Sequence, residues 1–254
     1  MRRDAELVVE RRRLVGIMRH AQLVLAVAES LVEIGGRQAE RPRVERHQLL
    51  DQPFHRVAIG GHGLAKARKI LRPAVGAAEA AVGDDLGMVV VLGYFYFGQD
   101  QLLTDEAAVI RATENVSRWI LDHGWRNVLV EVNNECNVKY DHAILRPARV
   151  HELIARVQAR SAQAGRRLLA GTSYGGGKIP EDNVVRVSDF LLVHGNGQHE
   201  PAKITAMVEK IRALPAWRAM PIVFNEDDHF DFGKPENNFA AALRAGASWG
   251  FFDY

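Results

Sequence analysis

From residue 86 onward the chain alternates short apolar runs with stretches of helical spacing, and few folds accept that alternation. Residues 86–93 form a continuous Val-rich apolar run, as a strand buried on both faces requires. Tyr94 and Tyr96 follow it. Residues 104–122 then place Ala108, Ile110, Val116, Trp119 and Ile120 at helical intervals, with Thr104 as the expected N-terminal cap. Further strands are expected at 128–132, 167–171, 190–194, 221–225 and 247–252. Helices are expected at 147–164, 201–213 and 235–245, the first with Pro147 near its first turn and Gly165 just past its end.

Strand–helix units in series predict parallel strands joined by right-handed crossovers, an α/β fold. Six units occupy residues 86–254, about 28 residues each, and 85 residues precede them, room for roughly two more. The expectation is therefore a (β/α)8 TIM barrel whose third to eighth strands are the ones recognised. Residues 56–60 would be the second strand and 64–80 its helix. No first strand is evident, and the chain stops right after the eighth strand, so the usual last helix is missing. An open doubly wound sheet is the alternative, but no Gly-x-Gly-x-x-Gly turn follows an early strand.

The text before residue 81 differs in kind. Residues 1–80 carry 15 Lys+Arg against 9 Asp+Glu, a net of +6, which leaves −4 for the rest of a chain whose formal charge is +2. They contain one aromatic residue, Phe54, and no Asn or Thr, whereas residues 81–254 hold all ten Asn. A domain draws its core from large apolar side chains and its caps and turns from such polar residues. Residues 1–80 thus read as an atypical segment, and 81–254 as the barrel-like part. Two accounts of the first segment stay open: an Ala- and Arg-rich helical start, or a stretch not native to the fold. A nucleic-acid-binding arm is disfavoured, because Arg11, Arg12 and Arg13 sit beside Glu6 and Glu10 with no interleaved aromatics. Arg19, His20 and Gln22 break the apolar stretch that a signal peptide would need, and no run approaches a membrane span. As the sequence stands, a cytoplasmic location is expected. Cys136 is the single cysteine, so no internal disulfide forms, and a small buried residue is its expected role.

In a barrel of this kind, chemistry projects from the C-terminal ends of the strands. Those positions are heavily loaded here: Tyr94 and Tyr96; Asn133, Asn134 and Glu135; Ser173 and Tyr174; His194 and Asn196; Asn225, Glu226, Asp227, Asp228 and His229; Trp249 and Asp253. Carboxylates, amides, imidazole and aromatics together suit a carbohydrate cleft. Glu135 ends the fourth assumed strand and Glu226 the seventh, each directly after an Asn. On a closed barrel those strands face each other across the mouth. Two carboxyl groups flanking a glycosidic bond are the minimal machinery for cleaving it, one as acid and the other as nucleophile or base.

With those residues in place, the segment Val130-Glu131-Val132-Asn133-Asn134-Glu135-Cys136 resembles the Asn-Glu signature of clan A glycoside hydrolases, which include the family 5 cellulases. Pro221-Ile222-Val223-Phe224-Asn225-Glu226 resembles the clan's nucleophile motif. The resemblance covers about residues 86–254. It implies that Glu135 is the acid/base, protonated at rest, and Glu226 the nucleophile, with retention of anomeric configuration and carboxyl groups ~5–5.5 Å apart. It implies that Asn134 donates to the sugar's 2-hydroxyl, that His194 and Trp249 bind sugar or support the nucleophile, and that Tyr94 offers a flat ring face. Tyr174, Asn196 and Asn225 complete the expected substrate-binding set. A carbohydrate is the expected partner, with no cofactor, no resident metal, no nucleic acid and no membrane. There are departures. The clan's Arg after the second strand has no evident equivalent, Asn196 stands where an aromatic is common, and the loop 226–231 is unusually acidic.

Two competing readings remain. Glu226, Asp228, His229 and His194 could ligate a divalent metal in a metal-dependent barrel enzyme, although no fixed-spacing motif such as His-Glu-x-x-His occurs. Alternatively the chain is a truncated or impaired barrel, a sugar-binding relic.

Overall fold

A computed structural model of the protein describes residues 88–252. The expected strand at 56–60, the helix at 64–80 and Asp253 lie outside the described residues. Six parallel strands run in chain order: β1 (Val90–Phe95), β2 (Val128–Asn133), β3 (Ala170–Gly171), β4 (Leu191–His194), β5 (Ile222–Glu226) and β6 (Ser248–Trp249). They form two three-stranded sheets, β1-β2-β3 and β4-β5-β6, with every pairing parallel. Five α-helices accompany them: α1 (Glu106–Asp122), α2 (Val150–Gln163), α3 (Asp182–Val187), α4 (Pro201–Arg212) and α5 (Asn238–Arg244).

The two sheets meet at the β3–β4 junction without a regular ladder. There Asp189 takes the place of a strand. Its N–H donates to the Ala170 carbonyl at 3.0 Å, and its carboxylate accepts the Ala170 N–H at 2.9 Å, so both backbone groups of Ala170 are satisfied. Gly171 is required at this junction, because a Cβ on it would lie 2.7 Å from the Phe190 carbonyl oxygen.

Strand alternation sorts the core into three parts. Val91 and Leu129 from the first sheet pack with Phe190, Leu192 and Val223 of the second, a single cluster facing one interior. Val128, Val130 and Val132 point the other way, against α1 and α2. Leu191, Val193, Ile222 and Phe224 do the same against α4 and α5. Six parallel strands in sequential order about a shared interior follow the course of consecutive barrel units. Yet the sheets are open, and no closed eight-stranded barrel is present among the described residues.

Helix ends explain most boundary shifts. Asp105, not Thr104, caps α1, its carboxylate accepting the Ala108 N–H at 2.6 Å. Pro147 lies ahead of α2, which begins only at Val150. Gly124, Gly165 and Gly246 have φ of 70°, 92° and 71°. Each sits just beyond a helix, where the left-handed backbone returns two N–H groups to the last turn, for example Arg166 to Ser161 at 3.1 Å and Gly165 to Ala162 at 3.0 Å. Helix α3 was not expected from the sequence; six residues are too few for a periodic signal. The last strand is two residues, not six. Among the described residues no helix is long and apolar enough to cross a membrane.

Candidate active site

Glu135 follows β2 in the left-handed backbone region, with φ of 47°. That conformation costs a non-glycine residue about 1–2 kcal/mol, and here it is held by one neighbour. Ser173 grips two successive N–H groups: its Oγ accepts from Glu135 at 2.8 Å, and its carbonyl accepts from Cys136 at 2.9 Å. Asn134 is fixed on both sides of its peptide. Its N–H donates to the Phe95 carbonyl at 2.9 Å, and its carbonyl accepts the Tyr140 hydroxyl at 2.6 Å.

Glu226 is aimed by a β-bulge. Val193 pairs with Phe224, but His194 pairs with Glu226, so Asn225 is an extra residue opposite no partner. Without it, strict alternation would turn Glu226 toward the helices, the side that Phe224, two residues earlier, already faces. The bulge instead brings Glu226 beside His194.

His194 joins the pair. Its side chain is fully buried, and Nδ1 lies 2.9 Å from Glu135 Oε1 and 3.3 Å from Glu226 Oε2. Nδ1 thus lies between one carboxyl oxygen of each residue. Burial pulls the imidazole pKa down, but the hydrogen bond to Glu135 and the charges of Glu226, Glu131 and Glu135 outweigh it, and the net shift is upward. Nε2 is buried with no partner. The side chains of Glu135 and Glu226 are 15% and 8% exposed, enough to open on solvent. One oxygen of each, with a ring nitrogen of His194, lies within 4.8 Å of the others.

Two amides bracket Glu226. Asn134 Nδ2 donates to Oε1 at 3.2 Å, and Asn196 Nδ2 donates to Oε2 at 2.9 Å. Asn134 therefore contacts the carboxylate, not only the space where a sugar hydroxyl would lie. Both side-chain atoms of Asn225 are buried without a partner. Among the described residues, the ion pairs of Glu135 and Glu226 are those with His194.

Three expected cleft residues lie elsewhere. Tyr94 points to the helix side of β1, where its hydroxyl pairs with Ser117 of α1 at 3.1 Å and burial drives its pKa upward. Tyr174 is packed in the first core cluster, its hydroxyl accepting the Glu181 N–H at 3.2 Å. Trp249 pairs with Phe224 across β5–β6 and so shares its helix-facing side. Its indole N–H donates to Asp227 at 2.8 Å, and its ring packs near Phe232, Phe239 and Phe251. Asp227 is a structural knot, also accepting from the His229 N–H and from Asn238. Burial raises its carboxyl pKa despite those donors. Cys136 is buried and its thiol is pushed up to about 12, which leaves it inert.

The metal-ligand set of the competing reading is divided. His194 and Glu226 group with Glu135, whereas Asp228 and His229 group with Asp227 on the rim. There Asp228 accepts the Gly197 N–H at 2.8 Å and meets His229 Nδ1 at 2.6 Å, while His229 Nε2 meets His199 Nδ1. These contacts tie the loop after β4 to the loop after β5. A further buried carboxyl, not among the site residues expected from the sequence, is Glu131, in the middle of β2 and 1% exposed. Its signal was a lone carboxyl inside an apolar run that must be buried on both faces.

No protein-family model matches the chain, and no curated protein matches it. Solved structures do. An active-site mutant of the Rhizomucor miehei β-1,3-glucanosyltransferase, in complex with laminaritriose, superposes with a TM-score of 0.52 at 13% identity, over 72% of each chain. A structure described as the glycoside hydrolase family 17 β-1,3-glucanosyltransferase of the same organism gives 0.50 at 14% identity, over 72% of this chain and 73% of that one. At such identity the likeness is one of fold. The described chain has the fold of glycoside hydrolase structures, and nothing in the comparison singles out family 5.

Proposed function

We propose that the protein cleaves glycosidic bonds by a retaining two-carboxylate mechanism, with Glu226 as nucleophile and Glu135 as acid/base. The observation that carries this reading is the convergence of two carboxyl groups, 91 positions apart in the chain, to within 4.8 Å around one buried imidazole. Retaining pairs stand ~5–5.5 Å apart and inverting pairs ~6.5–9.5 Å to admit a water, and the close approach of one oxygen from each group favours the first. The roles follow from the hydrogen bonds. Glu226 accepts amide N–H donors on both oxygens, which fixes its carboxyl group in place for attack. Glu135 is the more exposed of the two and has one side-chain partner, His194, leaving its other oxygen free to meet a leaving group.

In the first step a Glu226 oxygen bonds to the anomeric carbon as the glycosidic bond breaks, and the proton of Glu135 goes to the departing oxygen. In the second, Glu135 takes a proton from water, whose oxygen displaces Glu226 and releases the sugar with its original configuration. A sugar hydroxyl in place of that water would give transfer instead of hydrolysis. The structures of like fold are of a β-1,3-glucanosyltransferase, so β-1,3-linked gluco-oligosaccharides are the first substrates to try.

The test is turnover of aryl β-glycosides and laminari-oligosaccharides by the full chain. Glu226→Ala should abolish it, and azide should restore release of the aryl group, the sugar being recovered as a glycosyl azide of inverted configuration. Glu135→Ala should lose far more on poor leaving groups than on activated ones. Undiminished turnover in Glu226→Ala refutes the assignment. A second reading has one observation in its favour: Glu135, His194 and Glu226 could together hold a divalent ion. Stoichiometric metal in purified protein, with activity lost to chelation, would support that reading instead.

A further inference from the structure

On the rim of the site, the loops after β4 and β5 meet through two imidazoles. His199 belongs to the first loop and His229 to the second, 30 positions apart in the chain. Nδ1 of His199 faces Nε2 of His229 in direct contact, and the rings stand edge to face, with centroids 3.8 Å apart and planes at 86°. A ring nitrogen is either an N–H donor or a bare lone pair. Two of them face each other stably only with a proton, or another cation, between them.

The pair is held from behind. His229 Nδ1 lies 2.6 Å from Asp228 Oδ1, which also accepts the Gly197 N–H at 2.8 Å. A carboxylate on one ring nitrogen keeps the proton there and leaves the lone pair on the other, here Nε2. Both loops are also fixed through their backbones. The His229 N–H donates to Asp227 Oδ1 at 2.9 Å. Asn238 Nδ2 donates to Asp227 Oδ2 at 2.9 Å and to the Gln198 carbonyl, next to His199, at 2.8 Å, so one amide joins the two loops. The two imidazoles are thus brought together by the fold before any ligand arrives, which lowers the ordering cost of binding one. The neighbouring aspartates are already engaged: Asp227 by Trp249, Asn238 and the His229 N–H, and Asp228 Oδ1 by Gly197 and His229.

We propose that His199 Nδ1 and His229 Nε2 form a rim site for a divalent transition-metal ion of the zinc class, with Asp228 as the outer carboxylate that orients His229. Imidazole donors select Zn²⁺, Ni²⁺ and Cu²⁺ over Mg²⁺ and Ca²⁺, which prefer oxygen. His199 is exposed, so its ring is free to swing outward until both nitrogens stand ~2.0–2.1 Å from the ion. The proton between the rings then leaves to solvent, and water fills the remaining positions. The site shares no residue with the group formed by Glu135, His194 and Glu226. His199 lies three residues after Asn196, and His229 three residues after Glu226, so an ion here staples together the loops that carry those two hydrogen-bonded side chains. Neither the geometry nor the binding depends on the glycosidase reading.

The test is titration of the full chain, free of any histidine tag, with zinc chloride, followed by calorimetry. We expect one ion per chain at the rim, with magnesium unable to displace it. Asp228→Asn should weaken binding about tenfold, the lower end for an outer partner. Loss of a direct ligand, in His199→Ala or His229→Ala, should exceed that, at roughly a hundredfold. Glu135→Gln should leave this zinc in place. Wild-type affinity in both histidine variants overturns the proposal, as does an equal loss in Glu135→Gln, which would assign the ion to the carboxylate pair. Zinc affinity weaker than ~1 mM in the wild-type chain also overturns it. If His229→Ala does not fold, His199→Ala decides, because that side chain is exposed. Should the chain turn over no glycoside, the catalytic reading fails while the zinc titration still decides this one.

Discussion

Replacing Asn196 by Ala should slow the proposed glycoside cleavage without unfolding the protein. Asn196 stands where the resemblance leads one to expect an aromatic residue, and the structure supplies a purpose for the amide: its Nδ2 donates to Glu226 Oε2 at 2.9 Å. A hydrogen bond to a charged group is worth about 1.5–3 kcal/mol. The side chain is only half-buried, so water replaces part of the lost bond, and about 1–2 kcal/mol should remain. At tenfold per 1.36 kcal/mol, that is a roughly 5- to 30-fold loss in kcat/KM. Folding should be nearly indifferent, since Asn196 Oδ1 is itself buried without a partner and its removal relieves that defect. Steady-state rates on an activated aryl glycoside, with thermal melts of the same samples, measure both. Asn196→Asp should fall below the Ala variant near neutral pH, because it sets a negative charge against Glu226. An Ala variant within twofold of wild type, or an Asp variant more active than Ala, would refute the reasoning.

Gly171→Ala should destabilise the protein by about 1–3 kcal/mol, because the new Cβ meets the Phe190 carbonyl oxygen, a backbone atom that cannot step aside; urea unfolding checks it, and an unchanged midpoint contradicts the close approach at the β3–β4 junction. Trp249→Phe takes one donor from buried Asp227 and should cost about 1–3 kcal/mol, with oligosaccharide KM unchanged; a raised KM at full stability would return Trp249 to the cleft. The Glu131 carboxyl is raised from its ordinary 4.5 to about 7 by burial. Across that window the folded protein holds a proton that the unfolded chain has released, so this group's contribution falls as pH rises from about 4.5 to 7, by at most about 3 kcal/mol. Urea midpoints of wild type measured relative to Glu131→Gln at pH 5 and 8 should show that decline, and parallel curves would contradict it.

Much of the architecture is legible before any coordinates. Continuous apolar runs at 86–93, 128–132 and 190–194 announce buried strands because parallel strands have no solvent face, and the glycine after α2 announces its end because only that residue turns left-handed without strain. Orientation is less legible. Tyr94 and Trp249 stand at strand ends as surely as Glu135 does, yet both face helices. Which way a strand-end side chain points depends on parity within the ladder, and a single extra residue reverses it. Asn225 is such a residue, and no local pattern marks the bulge it makes.

The sequence alone therefore determined the order of strands and helices and the stock of acids, amides and imidazole gathered where strands end, since periodicity and composition are local properties. Only the tertiary structure decided which members of that stock meet. Register between β4 and β5, the clasp of Ser173 on the Glu135 turn and the room left around Glu131 each arise between segments distant in the chain, where hydrogen bonding and packing act on spatial neighbours and not on sequence ones.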